Sequence, residues 1–284
     1  MKVLGLIGSW RKAGNTECLV KEALLGAKQA GASELELIRL TDLSLKSCKG
    51  CMACVIKGEA CRIEDDFEFL VEKILEADGI IVGAPTYIYS STAIIKLILD
   101  RILQVALRLE AGLFDNKVGA SIAVAGRRDW APMTLPTLNL FVLSWGLKLV
   151  DAMLADSPGP GEVLLNEAFV IRANQIGSNI VEALRRNENE REFHVDGEQG
   201  FCPACHSDLI RISEKGITCA ICGLNGKFTP GNVSITFDSV ERSRFARDEF
   251  SEHLHGWIIA SGSRYMKNRA KIEPLRAKYR ALQF

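Results

Sequence analysis

Lys2-Val3-Leu4-Gly5-Leu6-Ile7 runs without a break into Gly8-Ser9-Trp10-Arg11-Lys12-Ala13-Gly14-Asn15-Thr16, after which apolar residues recur at helical spacing. A short run of Val, Leu and Ile reads as a strand buried on both faces, and a strand passing through a glycine-bounded loop into a helix opens a parallel crossover unit. The alternation continues down the chain to give five such units. Strands are expected at residues 2–7, 35–40, 79–84, 118–125 and 147–154, with helices starting near Asn15, Asp66, Thr92, Thr134 and Asn166. The fold class is therefore α/β, an open, doubly wound, five-stranded parallel sheet. Such a sheet binds ligands beyond the carboxyl ends of its strands, where strand order reverses. The loops after strands one, three and four are the ones to inspect.

The first of these loops suits a phosphate. N–H groups at a helix start carry partial positive charge, Gly8 and Gly14 permit close backbone approach, and Ser9, Asn15 and Thr16 offer short polar side chains. Arg11 and Lys12 add charge-assisted donors. The plain alternative is an ordinary strand-to-helix turn capped by Asn15 or Thr16. The loop matches neither the G-x-G-x-x-G fingerprint nor a Walker loop. After strand three the chain reads Ala84-Pro85-Thr86-Tyr87-Ile88-Tyr89-Ser90-Ser91-Thr92. Here Pro85 and two tyrosines make a wall for a flat ring, and the amides of Thr86 and Tyr87 can face its polar edge.

Together the two loops resemble the NADPH-dependent FMN reductase group of flavodoxin-like proteins. The pattern G-S-x-R-x-x-x-N-T, then P-x-Y-x-x-S-x-S-x-x-x-K, is met by Gly8, Ser9, Arg11, Asn15, Thr16, Pro85, Tyr87, Ser90 and Lys96, with Thr92 in place of the second serine. The resemblance implies a flavodoxin-like sheet in the order 2-1-3-4-5 and FMN as cofactor. It gives the FMN phosphate to Ser9, Arg11, Lys12, Asn15 and Thr16, and the isoalloxazine to Pro85, Thr86, Tyr87, Tyr89 and Ser90. Where relatives often carry a glycine-rich turn after strand four, this chain has Ala125-Gly126-Arg127-Arg128-Asp129-Trp130, in which Gly126 is the candidate contact.

Nine cysteines in an intracellular chain of 284 residues, most of them paired at short intervals, read as metal ligands rather than disulfides. Cys18 is left over and reads as a buried structural thiol. Cys48, Cys51 and Cys54 form a C-x2-C-x2-C run, and Cys61 follows after six residues, close enough to fold back. Thiolates this dense need a cation between them, and the run is one in which successive cysteines cap neighbouring irons of a [4Fe-4S] cubane. Zinc is the metal alternative, and unmetallated thiols the plain one. The placement after strand two resembles the iron–sulfur flavoproteins over residues 1–187, and Asp65-Asp66 also fits that family, although two acids there can equally cap the following helix. That resemblance implies an oxidoreductase transferring electrons between the cluster and FMN, with ferredoxin or NAD(P)H as redox partner. It also implies a homodimer or homotetramer in which one subunit's cluster approaches another's flavin. No triad for nucleophilic or acid–base catalysis is evident.

Cys202, Cys205, Cys219 and Cys222 form two C-x2-C knuckles joined by a short hairpin, which fits structural Zn²⁺ in a zinc ribbon, with rubredoxin-type iron as the alternative. Four thiolates fill that shell, so His206 beside them is not needed, and His194, His253 and His255 read as surface or packing residues. Short alternating segments are expected at residues 209–213 and 233–237. The domains are then residues 1–190 for the flavin and cluster, 191–240 for the ribbon and 241–284 for a helical tail, which is expected to brace the ribbon against the first domain.

Lys plus Arg (35) equals Asp plus Glu (35), which removes the overall basic field that favours nucleic acid. The tail nevertheless carries seven basic residues and one acidic residue between Arg264 and Arg280, so a nucleic-acid or protein-binding module is the rival class. A reductase with structural metal only is the rival enzyme. The uncharged stretch 130–147 is broken by Pro132, Pro136 and Asn139, which argues against a membrane span. The N-terminal apolar run is too short for a signal peptide, so the expected location is the cytoplasm.

Overall fold

The runs read as buried strands have their neighbours in place. The computed structural model of the chain describes residues 1–186, 194–195, 202, 205–214, 216–226, 252, 256–257 and 260–284. In chain order the first elements are β1 (Lys2–Ile7), α1 (Asn15–Gln29), β2 (Glu34–Arg39), α2 (Ala53–Ile56), α3 (Phe67–Glu76), β3 (Gly79–Tyr87), β4 (Ser90–Ser91), α4 (Ala93–Asp100) and α5 (Ala106–Glu110). There follow β5 (Val118–Ala125), α6 (Thr134–Ser144), β6 (Lys148–Asp156), α7 (Glu167–Arg185), β7 (His194–Val195), β8 (Ile210–Ser213), β9 (Gly216–Cys219), β10 (Asn225–Gly226) and α8 (Ala260–Ala281).

The main sheet runs β2-β1-β3-β5-β6-β7 with every neighbour parallel, so its five long strands take the expected flavodoxin order. β7 adds a short edge next to β6, and β4 folds back antiparallel on the end of β3. The first six residues of β3 and all of β5 are buried, as central strands covered on both faces must be. One cover is α1 with α7, whose axes approach so closely that a Cβ at Gly26 would lie 1.9 Å from the Asn174 carbonyl oxygen. The other is α3, α4 and α6, centred on buried Trp145 between Phe67, Phe114 and Phe141.

The cysteine knuckles carry the small antiparallel sheet β10-β9-β8 and pack through Cys202, Cys205 and Cys219 against Leu143 of α6. The expected strand at residues 233–237 and both domain boundaries lie outside the described residues. Residues 241–251 of the tail lie outside the described residues; its described helix, α8, lies on α1 and the turn Glu162–Leu165, on the sheet face opposite α6. The reason is local chemistry: Tyr279 Oη donates to Glu22 at 2.7 Å, and Lys21 Nζ donates to the Tyr279 carbonyl. Among the described residues, no helix is long and apolar enough to cross a membrane.

Candidate functional site

The carboxyl ends of β1, β3, β5 and β6 enclose a cavity of about 730 Å³. Ser9, Arg11, Asn15 and Thr16 line it from the first loop, Pro85, Thr86, Tyr87 and Tyr89 from the third, and Gly126 from the turn after β5. Two nominated residues stand outside it. Lys12 sits on the outer shoulder of its loop, where its carbonyl accepts from Arg276 at 3.1 Å. Ser90 opens β4, and its hydroxyl turns to Thr137 of α6 at 3.2 Å.

The first loop is held from behind. Ser9 is 3% exposed, and its carbonyl accepts from Arg39 (2.9 Å) and Thr41 (3.3 Å). Glu17 pairs with Arg39 and accepts the Ala13 amide at 2.6 Å; burial alone would raise its carboxyl, but these donors hold it below the usual range. Asn15 does not cap the helix, as the plain alternative had it: its amide donates to Ser157 and accepts from Val163, tying the loop to the segment after β6. Gly14 occupies the cap position with no side-chain acceptor, which leaves the first-turn N–H groups of a 15-residue helix facing the cavity end. This arrangement fits an anion.

The opposite wall is aromatic. Tyr89 stacks on Trp130 with centroids 5.3 Å apart. Ile88 (φ 44°) and Tyr89 (φ 66°) both sit in the left-handed region between β3 and β4, the geometry of a tight hairpin turn that normally takes Asn-Gly. Trp257 rests on Gly126, where an added Cβ would come within 2.6 Å of the indole. The volume, the donor-rich end and the flat aromatic wall fit FMN. Sequence reasoning missed Ser157, Pro158, Pro160, Trp257 and Ser261. The Ser157-Pro158-Gly159-Pro160-Gly161 run after the last long strand was a usable signal for the first three; Trp257 had none.

Cys48, Cys51, Cys54 and Cys61 lie on the loop between β2 and α3, on the same edge of the sheet. Its neck is closed by Arg101, whose guanidinium donates to Asp65 at 2.6 Å, to the Lys46 carbonyl at 2.9 Å and to Cys61 Sγ at 3.9 Å. Asp65 also accepts the amides of Lys46 and Phe67, and Asp66 that of Ser44, so these acids do more than cap a helix. Gly50 and Gly58, both at φ 64°, and Met52, at φ 59°, let the chain curl, and a Cβ at Gly50 would meet nothing within 4 Å. Four thiols in one open loop, with N–H donors on Cys48 and Cys61, fit a cluster by donor chemistry.

The second quartet has a different spacing. Cys202 and Cys222 sulfurs are 3.4 Å apart, as are those of Cys205 and Cys219, and all four lie within 4.8 Å of one another. A tetrahedron of bonds about 2.3 Å long has edges of about 3.8 Å, so the site fits one ion. Among the described residues no other group of metal-ligating side chains gathers this tightly. A four-iron cage, with one thiolate per iron, keeps its ligands farther apart. Cys18 is fully buried, and burial pushes its thiol up to about 12, in keeping with a structural role.

The family model of NADPH-dependent FMN reductases matches residues 1–152. The chain is 30% identical over 268 residues to a flavone synthase of Aspergillus candidus, covering 84% of this chain and 82% of that one. It is 41% identical over 196 residues to an iron–sulfur flavoprotein of Methanocaldococcus jannaschii, covering 65% of this chain and 98% of the other. The solved structure of a flavone reductase superposes with a TM-score of 0.65 at 27% identity, over 100% of this chain and 98% of that one.

Proposed function

The chain belongs to the NADPH-dependent FMN reductase family and is a flavin oxidoreductase; on that premise we propose that it moves electrons between a [4Fe-4S] cluster on Cys48, Cys51, Cys54 and Cys61 and FMN in the cavity. It would thereby couple a one-electron carrier such as ferredoxin to two-electron chemistry. The observation that carries this reading is α4. Thr92, at its start, donates to the Gly8 carbonyl beneath the first loop at 2.6 Å, and Arg101, at its end, reaches Cys61 and Asp65. Nine residue steps at 1.5 Å place these two anchor points about 14 Å apart along one rigid helix.

FMN supplies one- and two-electron acceptance, and the cluster supplies single electrons. The chain's own residues bind and orient. Ser9, Arg11, Thr16 and the first turn of α1 hold the phosphate, Pro85 to Tyr89 and Gly126 position the ring, and Trp257 screens one side from water. Cys202, Cys205, Cys219 and Cys222 hold structural Zn²⁺. In this reading residues 1–190, 191–240 and 241–284 are the flavin–cluster, ribbon and tail domains of a cytoplasmic homodimer or homotetramer.

Anaerobic purification tests the proposal. Flavin and cluster absorbance are expected together, with about four Fe and one Zn per chain, and Cys51→Ala should lose iron while keeping FMN. A colourless protein that cannot be reconstituted would overturn it. A second reading is an NAD(P)H-dependent reductase of flat aromatic substrates with structural metal only. It is supported by the flavone-named relatives, one matching over 84% of this chain and the other superposing over all of it. Stoichiometric NAD(P)H oxidation by iron-free Cys51→Ala would favour it. The nucleic-acid reading loses support because Arg264, Arg276, Lys278 and Arg280 already pair with carboxylates of the chain.

A further inference from the structure

We propose that Arg276, on the C-terminal helix, is a positioning residue for the flavin phosphate, acting through the backbone of the first loop. The proposal rests on the FMN reading above and adds a residue far outside the part matched by the family model. Arg276 Nε donates to the Ala13 carbonyl at 2.8 Å and Nη2 to the Lys12 carbonyl at 3.1 Å. One guanidinium fork thus holds two consecutive carbonyls on the outer side of the loop. Gly14, the next residue, lines the cavity, and Lys12 and Ala13 do not. The side of the loop that faces an anion is therefore left with donors, since a carbonyl oxygen turned inward would repel a phosphate.

The loop needs this restraint. Ala13 has φ 49°, a left-handed conformation that is strained for a non-glycine residue and persists only where its surroundings enforce it. Glu17 fixes the Ala13 amide, and Arg276 fixes the carbonyl. Arg276 is itself locked: Nη1 donates to Glu273 at 2.8 Å, and its stem lies over Gly161, where a Cβ would come within 2.4 Å. The helix is pinned by Ile272, fully buried, and by Tyr279, 3% exposed.

The test compares FMN with riboflavin, which lacks the phosphate, on the full chain. Kd is read from the fluorescence of flavin released on serial dilution of FMN-loaded and riboflavin-loaded protein. Arg276→Ala is expected to weaken FMN about tenfold, which is 1.4 kcal/mol, and riboflavin less than twofold. Arg276→Lys keeps the charge without the fork, so it should fall between, and it serves if the alanine variant does not fold. Equal weakening of both flavins would mean a general structural role and overturn the proposal, as would no change in either. A wild-type chain with no preference for FMN over riboflavin is a different result, which sinks the cofactor reading and this proposal with it.

Discussion

Replacing Arg101 with Met should cost about 3–5 kcal/mol, because it breaks a buried pair and strands the surviving charge. Arg101 and Asp65 side chains are each 1% exposed, and their nearest nitrogen and oxygen are 2.6 Å apart. The guanidinium also lies 4.4 Å from the centre of the Phe67 ring and supplies donors to Lys46 and Gln104, none of which Met replaces. Against a total stability of about 5–15 kcal/mol, the loss is large. The Arg101→Met, Asp65→Asn double variant removes the stranded charge and should recover about 2 kcal/mol of it. The assay is urea unfolding followed by far-ultraviolet circular dichroism, on chains of matched flavin and metal content. Burial alone would raise the Asp65 carboxyl, but Arg101 and the amides of Lys46 and Phe67 hold it below the usual range. Its stabilisation is therefore complete above the unfolded value, near pH 4, and is lost as pH falls through the depressed folded one. A cost below about 1 kcal/mol, typical of a solvated pair, or a double variant no more stable than the single, would refute the reasoning.

Gly177→Ala should be worse than an ordinary overpacking change of about 1–3 kcal/mol, because its Cβ would lie 1.7 Å from the Ala23 carbonyl oxygen and backbone cannot step aside; a loss of folded yield and melting temperature checks it. Ile88→Asn should stabilise the chain by about 1 kcal/mol, read from thermal unfolding, since it relieves a left-handed β-branched residue that is 89% exposed. Cys205→Ser should release zinc without releasing iron, measured by elemental analysis, because the two quartets share no ligand and sit on separate elements.

Much of this architecture was legible because central parallel strands must be apolar along their whole length. Residues 79–84 and 118–125 read as buried, and they are. The helix starts followed from the same alternation, falling at or one residue before the observed first residues. β4 and β7 are two residues each, too short to carry a period, and they escaped notice. Either the first or the third loop alone has an ordinary explanation, a capped turn or tyrosines packed at a strand end; they were readable as chemistry because together they match one family pattern. The role of Asn15 was not, since a cap and a tether look alike until the segment 157–163 is placed beside it. Trp257, Arg276 and Arg101 reach their partners across long stretches of sequence, and no local pattern reports such a contact.

The seat of α8 is unusually polar for an internal surface. Glu17, Lys21 and Glu22 of α1 are each at least nine-tenths covered, yet Glu22 and Lys21 take partners from α8 and the residue just beyond it: Tyr279, Lys278 and the carbonyl of Leu282. Water can replace such partners with little penalty, so this helix should come away ahead of the sheet as denaturant rises. A limited digest would then cut within residues 260–284 first, and the grip on the prosthetic group would slacken before the sheet itself opened.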